Sequence, residues 1–463
     1  MISRLGLLLS RAFRSVMPDP FVLAVLLTFV TIALALLLTP SSPTQVVDAW
    51  ASEIGLWSLL RFAMQMSLIL VTGYALATSP PVARLTRRLA QLPTTGANAA
   101  ILVAVLATTT GVLNWGLGLI VGAVAAREVG AAMHRKGVPV HYPLLAASGY
   151  LGLMVWHGGF SGSAPLKVTS SGGITEIFGT APPIGPLSLD LTLFSPMNLF
   201  VTGGLLVLLP IVMAALAPRN AATIRTADSF GITVDDGEAN VPARPPESER
   251  KPLLLRLLEE TPFVSYALVL LIAIWAWRYY WPAEGPSGIR ALTPDTVNLT
   301  MLGLGLLLHR TPASYVRAVE RAASGAAGII LQFPLYAGIM GIMTATGLTA
   351  LFATSLAAIS TSTTLPLTTF FSAAVINVFV PSGGGQWAIQ GPIAMHSAIT
   401  AGIEPAKMVM AVAYGDQLTN MLQPFWAIPL LAITRVQARD IVGYTTVAML
   451  LGALWISLGL LLF

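Results

Sequence analysis

Long apolar runs dominate this chain, and polar residues punctuate them instead of alternating with them. A membrane-crossing helix needs about 20 apolar residues. The runs read as spans are Pro20 to Thr39, Trp57 to Ser79, Tyr142 to Lys167, Leu191 to Leu216, Pro262 to Trp281, Thr296 to Leu308, Ser324 to Thr346, Ala406 to Ile433 and Ile441 to Phe463. Two more, Asn98 to Val129 and Pro366 to Ile399, are long enough to cross but are interrupted near the middle. The second interruption holds Pro381, Ser382, Gly383, Gly384 and Gly385. Non-helical backbone at bilayer depth survives only where protein buries it or a wet cavity borders it. The pattern therefore predicts an all-α polytopic membrane protein with a site at the breaks.

Lys and Arg decide whether the interrupted runs cross or turn back. With both as re-entrant hairpins and the amino terminus cytoplasmic, 20 of the 25 basic residues face the cytoplasm; if both cross, only 11 do. The positive-inside rule favours hairpins, which places the carboxyl terminus outside. The polar stretch 218–260 reads as a solvated cytoplasmic linker. It separates a first repeat, 1–217, from 261–463, where one additional helix (262–281) precedes the second repeat and inverts it. Each half then carries a hairpin (98–129 from the cytoplasmic side, 366–399 from the outer side), a span with an irregular centre and a closing span. Inverted repeats with broken helices at matching positions are the pattern of secondary transporters, with the site between the repeats.

Composition agrees: 55% of residues are apolar, 10% are charged, and mean hydropathy is +0.77. Cysteine is absent, the five histidines lack metal-ligand spacing, and no phosphate loop or nucleotide fingerprint occurs, so ATP-driven pumping is not indicated and no cofactor is expected. The net charge of +5 sits mainly in loops, where it sets topology instead of binding nucleic acid. The first 20 residues read as a retained cytoplasmic helix, not a signal peptide.

Four irregular centres carry the candidate chemistry: 114–118, 157–165, 377–385 and 416–424. Half-helix ends expose N–H groups that suit a carboxylate, and unwound carbonyls suit a cation. The expected substrate is a small anion, bound by Asn114, Ser161, Gly162, Ser163, Asn377, Ser382, Gly383, Gly384, Gly385 and Asn420. Asp416, a carboxylate within an apolar span, is a functional hypothesis by default. It reads as the coupling-ion residue, a Na⁺ ligand or proton carrier, with Asn114 and Asn377 beside it; the structural reading is a helix cap. The two asparagines read equally as interhelical hydrogen-bond partners, and the serines as packing residues. His157 reads first as a simple hydrogen-bonding residue, and contact of His157 or Gln386 with substrate is left open. Trp115, Trp156, Trp387 and Trp426 read as wall or core. Arg61 is read as snorkelling to the outer interface.

The segments PDPFVLAVLLTF, VINVFVPSGGGQWAIQGP and AYGDQLTNMLQPFWAIPLLAI, with NWGLGLIVGAVAARE and GGFSGSAPL, resemble the bacterial short-chain fatty acid transporter family nearly end to end. That resemblance implies an inner-membrane carrier of short monocarboxylates such as acetoacetate and butyrate, by H⁺ or Na⁺ symport. It also implies kinship with an ion-transporter superfamily built as an elevator-type scaffold plus transport domain, usually dimeric. The chain departs from the family's motif in having Asp416 for Glu, Gln386 for His and His157 for Gly. Other readings are a carrier of dicarboxylates or sugar acids, a passive channel, or an intramembrane enzyme using His157 or Asp416 as base and Ser161 or Ser382 as nucleophile. Against the enzyme, no G-x-S-x-G elbow is present.

Overall fold

The computed structural model describes residues 8, 19–178, 184–218, 220–232, 252–283, 287–291, 294–323, 326–358, 360–381 and 383–463. Among them every regular element is helical. The first half supplies α1 (Pro20–Leu38), α2 (Pro43–Ala51), α3 (Leu60–Thr78), α4 (Pro80–Leu89), α5 (Gly96–Leu113), α6 (Trp115–Arg135), α7 (Tyr142–Tyr150), α8 (Ser163–Lys167), α9 (Ser171–Phe178) and α10 (Pro196–Leu216). After residue 252 come α11 (Leu253–Glu259), α12 (Phe263–Tyr280), α13 (Pro294–His309), α14 (Pro312–Ala323), α15 (Ala327–Ala345) and α16 (Leu348–Ala358). The chain closes with α17 (Leu365–Phe379), α18 (Gly383–Ala401), α19 (Pro405–Thr419), α20 (Pro424–Thr434) and α21 (Ala438–Leu462).

Among the described residues seven helices are long and apolar enough to cross a membrane, or eight if α3 and α4, bent by 77°, form one span. The expected spans 142–167 and 406–433 are not among them because both are broken, and 296–308 forms a helix of only 16 residues. Helix starts follow ordinary capping chemistry. Ser42 and Gln45 form a capping box at α2, Thr95 accepts from Asn98 N at α5, and Ser195 accepts from Asn198 N at α10. The last of these moves the start of the expected 191–216 span to Pro196, residues 191–194 being turns.

Helices α5 and α6 form an antiparallel hairpin whose arms meet on small residues. A Cβ built on Gly118 would lie 2.5 Å from Gly111 Cα, and one on Gly122 would lie 2.0 Å from the Gly149 carbonyl of α7. Such backbone approach is how helices pack where no hydrophobic force drives them together. The arms hold 18 and 21 residues, about 27 and 32 Å, so either could cross a bilayer. The tip ends in protein: Asn114 is only 2% exposed. Helices α17 and α18 form the second hairpin, tied across by Gln386 Nε2 donating to the Ala373 carbonyl (2.9 Å) and Gln390 Nε2 to Ser372 Oγ (3.3 Å).

The stretch read as a flexible linker is partly folded. Residues 220–232 return to the bundle because Arg225 meets a carboxylate that is 4% exposed: Arg225 Nη1 stands 2.7 Å from Asp440 Oδ1, its guanidinium caps the Phe230 ring at 4.4 Å, and Ala227 and Ile232 are buried. Residues 233–251 lie outside the described set. Arg61, instead of snorkelling alone, pairs with Asp295 at 2.8 Å, and Gln65 also donates to that carboxylate. The two donors hold the Asp295 carboxyl below its usual range. In the apolar run Leu253–Tyr280, which α11 and α12 make up, only 6% of the most apolar 18-residue window is buried, as expected of a segment that meets lipid.

Candidate functional site

Both hairpin tips reach the same irregular segment. Helix α7 ends at Tyr150, and the chain continues through short 3-10 turns (Leu151–Met154 and Trp156–Gly158) and an extended Gly159 before α8 begins. The glycines of 158–162 have no room for side chains: a Cβ on Gly159 would lie 2.3 Å from the Val112 carbonyl, and one on Gly162 2.2 Å from the His157 carbonyl. On one side sits the tip of α5–α6. Asn114 is extended and ends α5, and its Oδ1 accepts from Gly116 N (3.0 Å) and Leu117 N (3.1 Å), capping α6. Trp115 N donates to Ser161 Oγ (3.0 Å), and Phe160 N to the Val112 carbonyl (2.8 Å).

On the other side α18 begins at Gly383. A Cβ there would lie 2.7 Å from Trp156 Cη2, 3.0 Å from Ser163 Oγ and 3.1 Å from His157 Cε1. Ser161 and Ser163 therefore link the two tips, with at most about 7 Å between their Cα atoms. Gly384 is half-buried and faces open space, and Gly385 is half-buried beside it. Ser382 lies outside the described residues.

Asp416 does not cap a helix. Helix α19 runs through it to Thr419, and the break falls at 420–423, where Pro424 restarts the helix as α20. Its partner is His157: Asp416 Oδ1 lies 3.2 Å from Nδ1, with both side chains at most 2% exposed. The imidazole has one consistent tautomer. Ala164 N donates to Nε2 at 3.1 Å, so that nitrogen carries the lone pair and Nδ1–H points at the carboxylate. His157 N also donates to Gln417 Oε1 (3.1 Å), and Trp156 stacks on the ring at 4.3 Å.

Asn377 ties the second hairpin to the same place. Its Nδ2 is 2.7 Å from the Asp416 carbonyl, 3.0 Å from Thr419 Oγ1 and 3.0 Å from Asn420 Oδ1. Asn420 in turn accepts at its carbonyl from Tyr150 OH (2.9 Å), which joins the two broken helices. Gln423 Nε2 donates to the Asn377 carbonyl. Five polar atoms of this cluster have no hydrogen-bond partner among the described residues: Asp416 Oδ2, Asn377 Oδ1, Gln423 Oε1, Gln417 Nε2 and Trp156 Nε1. Such atoms are rare in folded proteins and each calls for an explanation.

The candidates thus fall into two groups on either side of 157–163. Asn377, Asp416 and Asn420 form one network, Gly383 and Ser163 lie against His157, and Asn114 with Ser161 forms the opposite rim. Sequence reasoning undervalued His157 and missed Gln417, Thr419, Tyr150 and Asn198, whose Nδ2 holds the Gly158 carbonyl at 2.9 Å. Gln386 serves the hairpin itself through its amide N–H groups. Trp115 and Trp426 meet edge to face at 5.2 Å, whereas Trp387 packs on Gly391 of its own helix. Among the described residues no group of three or more His, Asp or Glu is placed to hold a metal ion.

Known proteins place the chain. A family model described as short chain fatty acid transporter matches residues 1–463. A protein of Escherichia coli (strain K12), provisionally named a short-chain fatty acid transporter, is 41% identical over 100% of both chains. One of Haemophilus influenzae (strain ATCC 51907 / DSM 11121 / KW20 / Rd), similarly named, is 38% identical over 99% of each. Among solved structures the Alcanivorax borkumensis YdaH transporter aligns over 96% of this chain and 97% of its own, at 18% identity and a TM-score of 0.44, a likeness too loose to fix an architecture. The family and its named members are transporters, so this is a multi-pass membrane transporter and not an enzyme. Matched from end to end, the chain belongs to the short-chain fatty acid transporter family.

Proposed function

We propose that the protein is a secondary active transporter of short-chain monocarboxylates, acetoacetate and butyrate among them, driven across the cytoplasmic membrane by an H⁺ or Na⁺ gradient. The observation that carries this is the convergence of both hairpin tips on a buried cluster whose unpartnered atoms are of two kinds. Asp416 Oδ2 and Asn377 Oδ1 are acceptors suited to a hard cation; Gln417 Nε2 and Trp156 Nε1 are donors suited to a carboxylate oxygen. One small acid and one cation would satisfy both kinds together, which is what coupled binding requires.

The same hydrogen bonds assign the proton if H⁺ is the coupling ion. Protonating His157 at Nε2 would break the bond from Ala164 N, whereas a proton on Asp416 Oδ2 breaks none. Asp416 is then the carrier and His157 the residue that positions it. If Na⁺ couples, Asp416 Oδ2 and Asn377 Oδ1 would hold it with backbone carbonyls of the breaks. Short acids suit the setting because Trp115, Trp156 and Trp426 supply apolar wall near the tips, whereas a second carboxylate would need a further positive partner. In this reading the two halves are inverted repeats, the hairpins are re-entrant and alternating access moves the site past a scaffold. The amino terminus is cytoplasmic, the carboxyl terminus is outside, and the protein works as a homodimer.

The test is uptake of radiolabelled butyrate or acetoacetate into proteoliposomes under imposed H⁺ or Na⁺ gradients. Accumulation that collapses with one gradient identifies the ion, and no uptake under either gradient refutes the reading.

A further inference from the structure

Away from the hairpin tips, a cavity of about 610 Å³ opens where the turn between α20 and α21 faces α3, α6 and α14. Among the described residues Arg127, Arg321, Arg435 and Arg439 line it, against one carboxylate, Asp19, for a net lining charge of +3. These arginines come from three regions far apart in sequence, 127, 321 and 435–439, so the fold assembles the charge.

One of them is held there in an unfavourable backbone conformation. Arg435 ends α20 in the left-handed region, at φ 58°, where glycine is the usual residue. An L side chain is strained there by the approach of its Cβ to the following carbonyl oxygen. Its guanidinium donates to the carbonyl of Gly231, in the folded part of the linker. Strain of this kind persists where surrounding structure enforces it, and it gathers at ligand clamps.

The inner end of the cavity points towards the hairpin site. Leu70 lines it, and the preceding residue, Ile69, would lie 3.3 Å from a Cβ on Gly116 at the first turn of α6. Ile428 also lines it, two residues beyond Trp426, which meets Trp115 at the tip. A basic cleft with low-dielectric walls concentrates anions at its mouth.

We propose that this cavity is an anion vestibule, a binding step for small organic carboxylates on the cytoplasmic side of the hairpin site. Its connection to transport rests on the function proposed above, but its charge and occupancy are measurable without transport. The chain has no cysteine, so a single one at Ala432, an exposed residue on the cavity wall, gives an unambiguous probe.

The experiment measures the rate at which Ala432→Cys reacts with a negatively charged and a positively charged methanethiosulfonate, each normalised to a free thiol. Vesicles are made of neutral lipid, and of neutral lipid with phosphatidylglycerol. The expected result is a tenfold or greater preference for the anionic reagent, reduced severalfold by 0.5 M salt and by Arg321→Gln with Arg439→Gln. Millimolar butyrate is expected to slow the reaction in neutral lipid. Equal normalised rates for the two reagents overturn the proposal. Protection by phosphatidylglycerol but not by butyrate also overturns it, in favour of a lipid headgroup site. Butyrate protection in a protein that transports no acid upholds the vestibule and refutes the transport reading instead.

Discussion

Replacing Asp416 by Asn tests the coupling role with the least disturbance of packing, because the two side chains are nearly isosteric. The amide oxygen can still accept from His157 Nδ1–H, now 3.2 Å from Asp416 Oδ1. A hydrogen bond to a charged group is worth about 1.5–3 kcal/mol and a neutral one about 0.5–1.5 kcal/mol, so that contact weakens by about 1 kcal/mol. The new N–H₂ takes the place of Oδ2, and leaving it unpaired costs about 1–3 kcal/mol. Removing a buried charge returns several kcal/mol of desolvation, so folding should change little. The cation loses far more. At about 3 Å and an effective dielectric of about 20, one unit charge attracts it by about 5–6 kcal/mol. If a quarter of that survives desolvation, the ion's half-saturating concentration rises about tenfold. The assay compares gradient-driven butyrate accumulation with gradient-free counterflow in proteoliposomes, alongside thermal unfolding in detergent. The expected variant is folded, exchanges butyrate and needs about ten times the ion concentration to accumulate it. A folded Asp416→Asn protein that accumulates butyrate with wild-type ion dependence would refute the reasoning.

Three further perturbations probe the surroundings. Gly383→Ala puts a methyl 2.7 Å from Trp156 Cη2, and the overpacking should cost about 1–3 kcal/mol, read as a lower melting temperature together with slower uptake. Arg225→Ala removes the cation beside the buried Asp440 carboxylate, which keeps its bond from Gln437 N, and loses the Phe230 contact; with Arg225 one-third exposed, the expected cost is about 2–3 kcal/mol, and Asp440→Asn in the same chain should recover part of it in a double-mutant cycle. Asp416→Glu alone should drive its carboxylate into the imidazole and impair uptake, whereas Asp416→Glu with His157→Gly should restore it; equal activity of the single and double variants would show that the pair does not act together.

The interruptions were readable in the sequence because proline, glycine and asparagine cannot hide within an apolar run. Asn114 and the stretch after Phe379 do end their helices. What the sequence could not show is which interrupted element meets which. His157 lies 259 positions from Asp416, and nothing local distinguishes a histidine beside two glycines from an ordinary hydrogen-bonded one. The position of the second break was equally hidden: YGDQLTNMLQP offers Asp, Asn and Pro as helix breakers, and Pro424 with the bonds from Tyr150 to the 420 and 423 carbonyls moves the opening past Asp416. That shift changes the chemistry. A carboxylate at a helix end would be satisfied by backbone N–H groups, whereas one within a helix turns sideways, meets the imidazole with one oxygen and leaves the other without a hydrogen-bond partner among the described residues. The linker misled for a related reason. Its composition is that of a solvated chain, but a single arginine within it neutralises a buried carboxylate, and that pairing helps fold residues 220–232 onto the bundle. In both places a long-range contact with a buried carboxylate overrides a reading based on local composition.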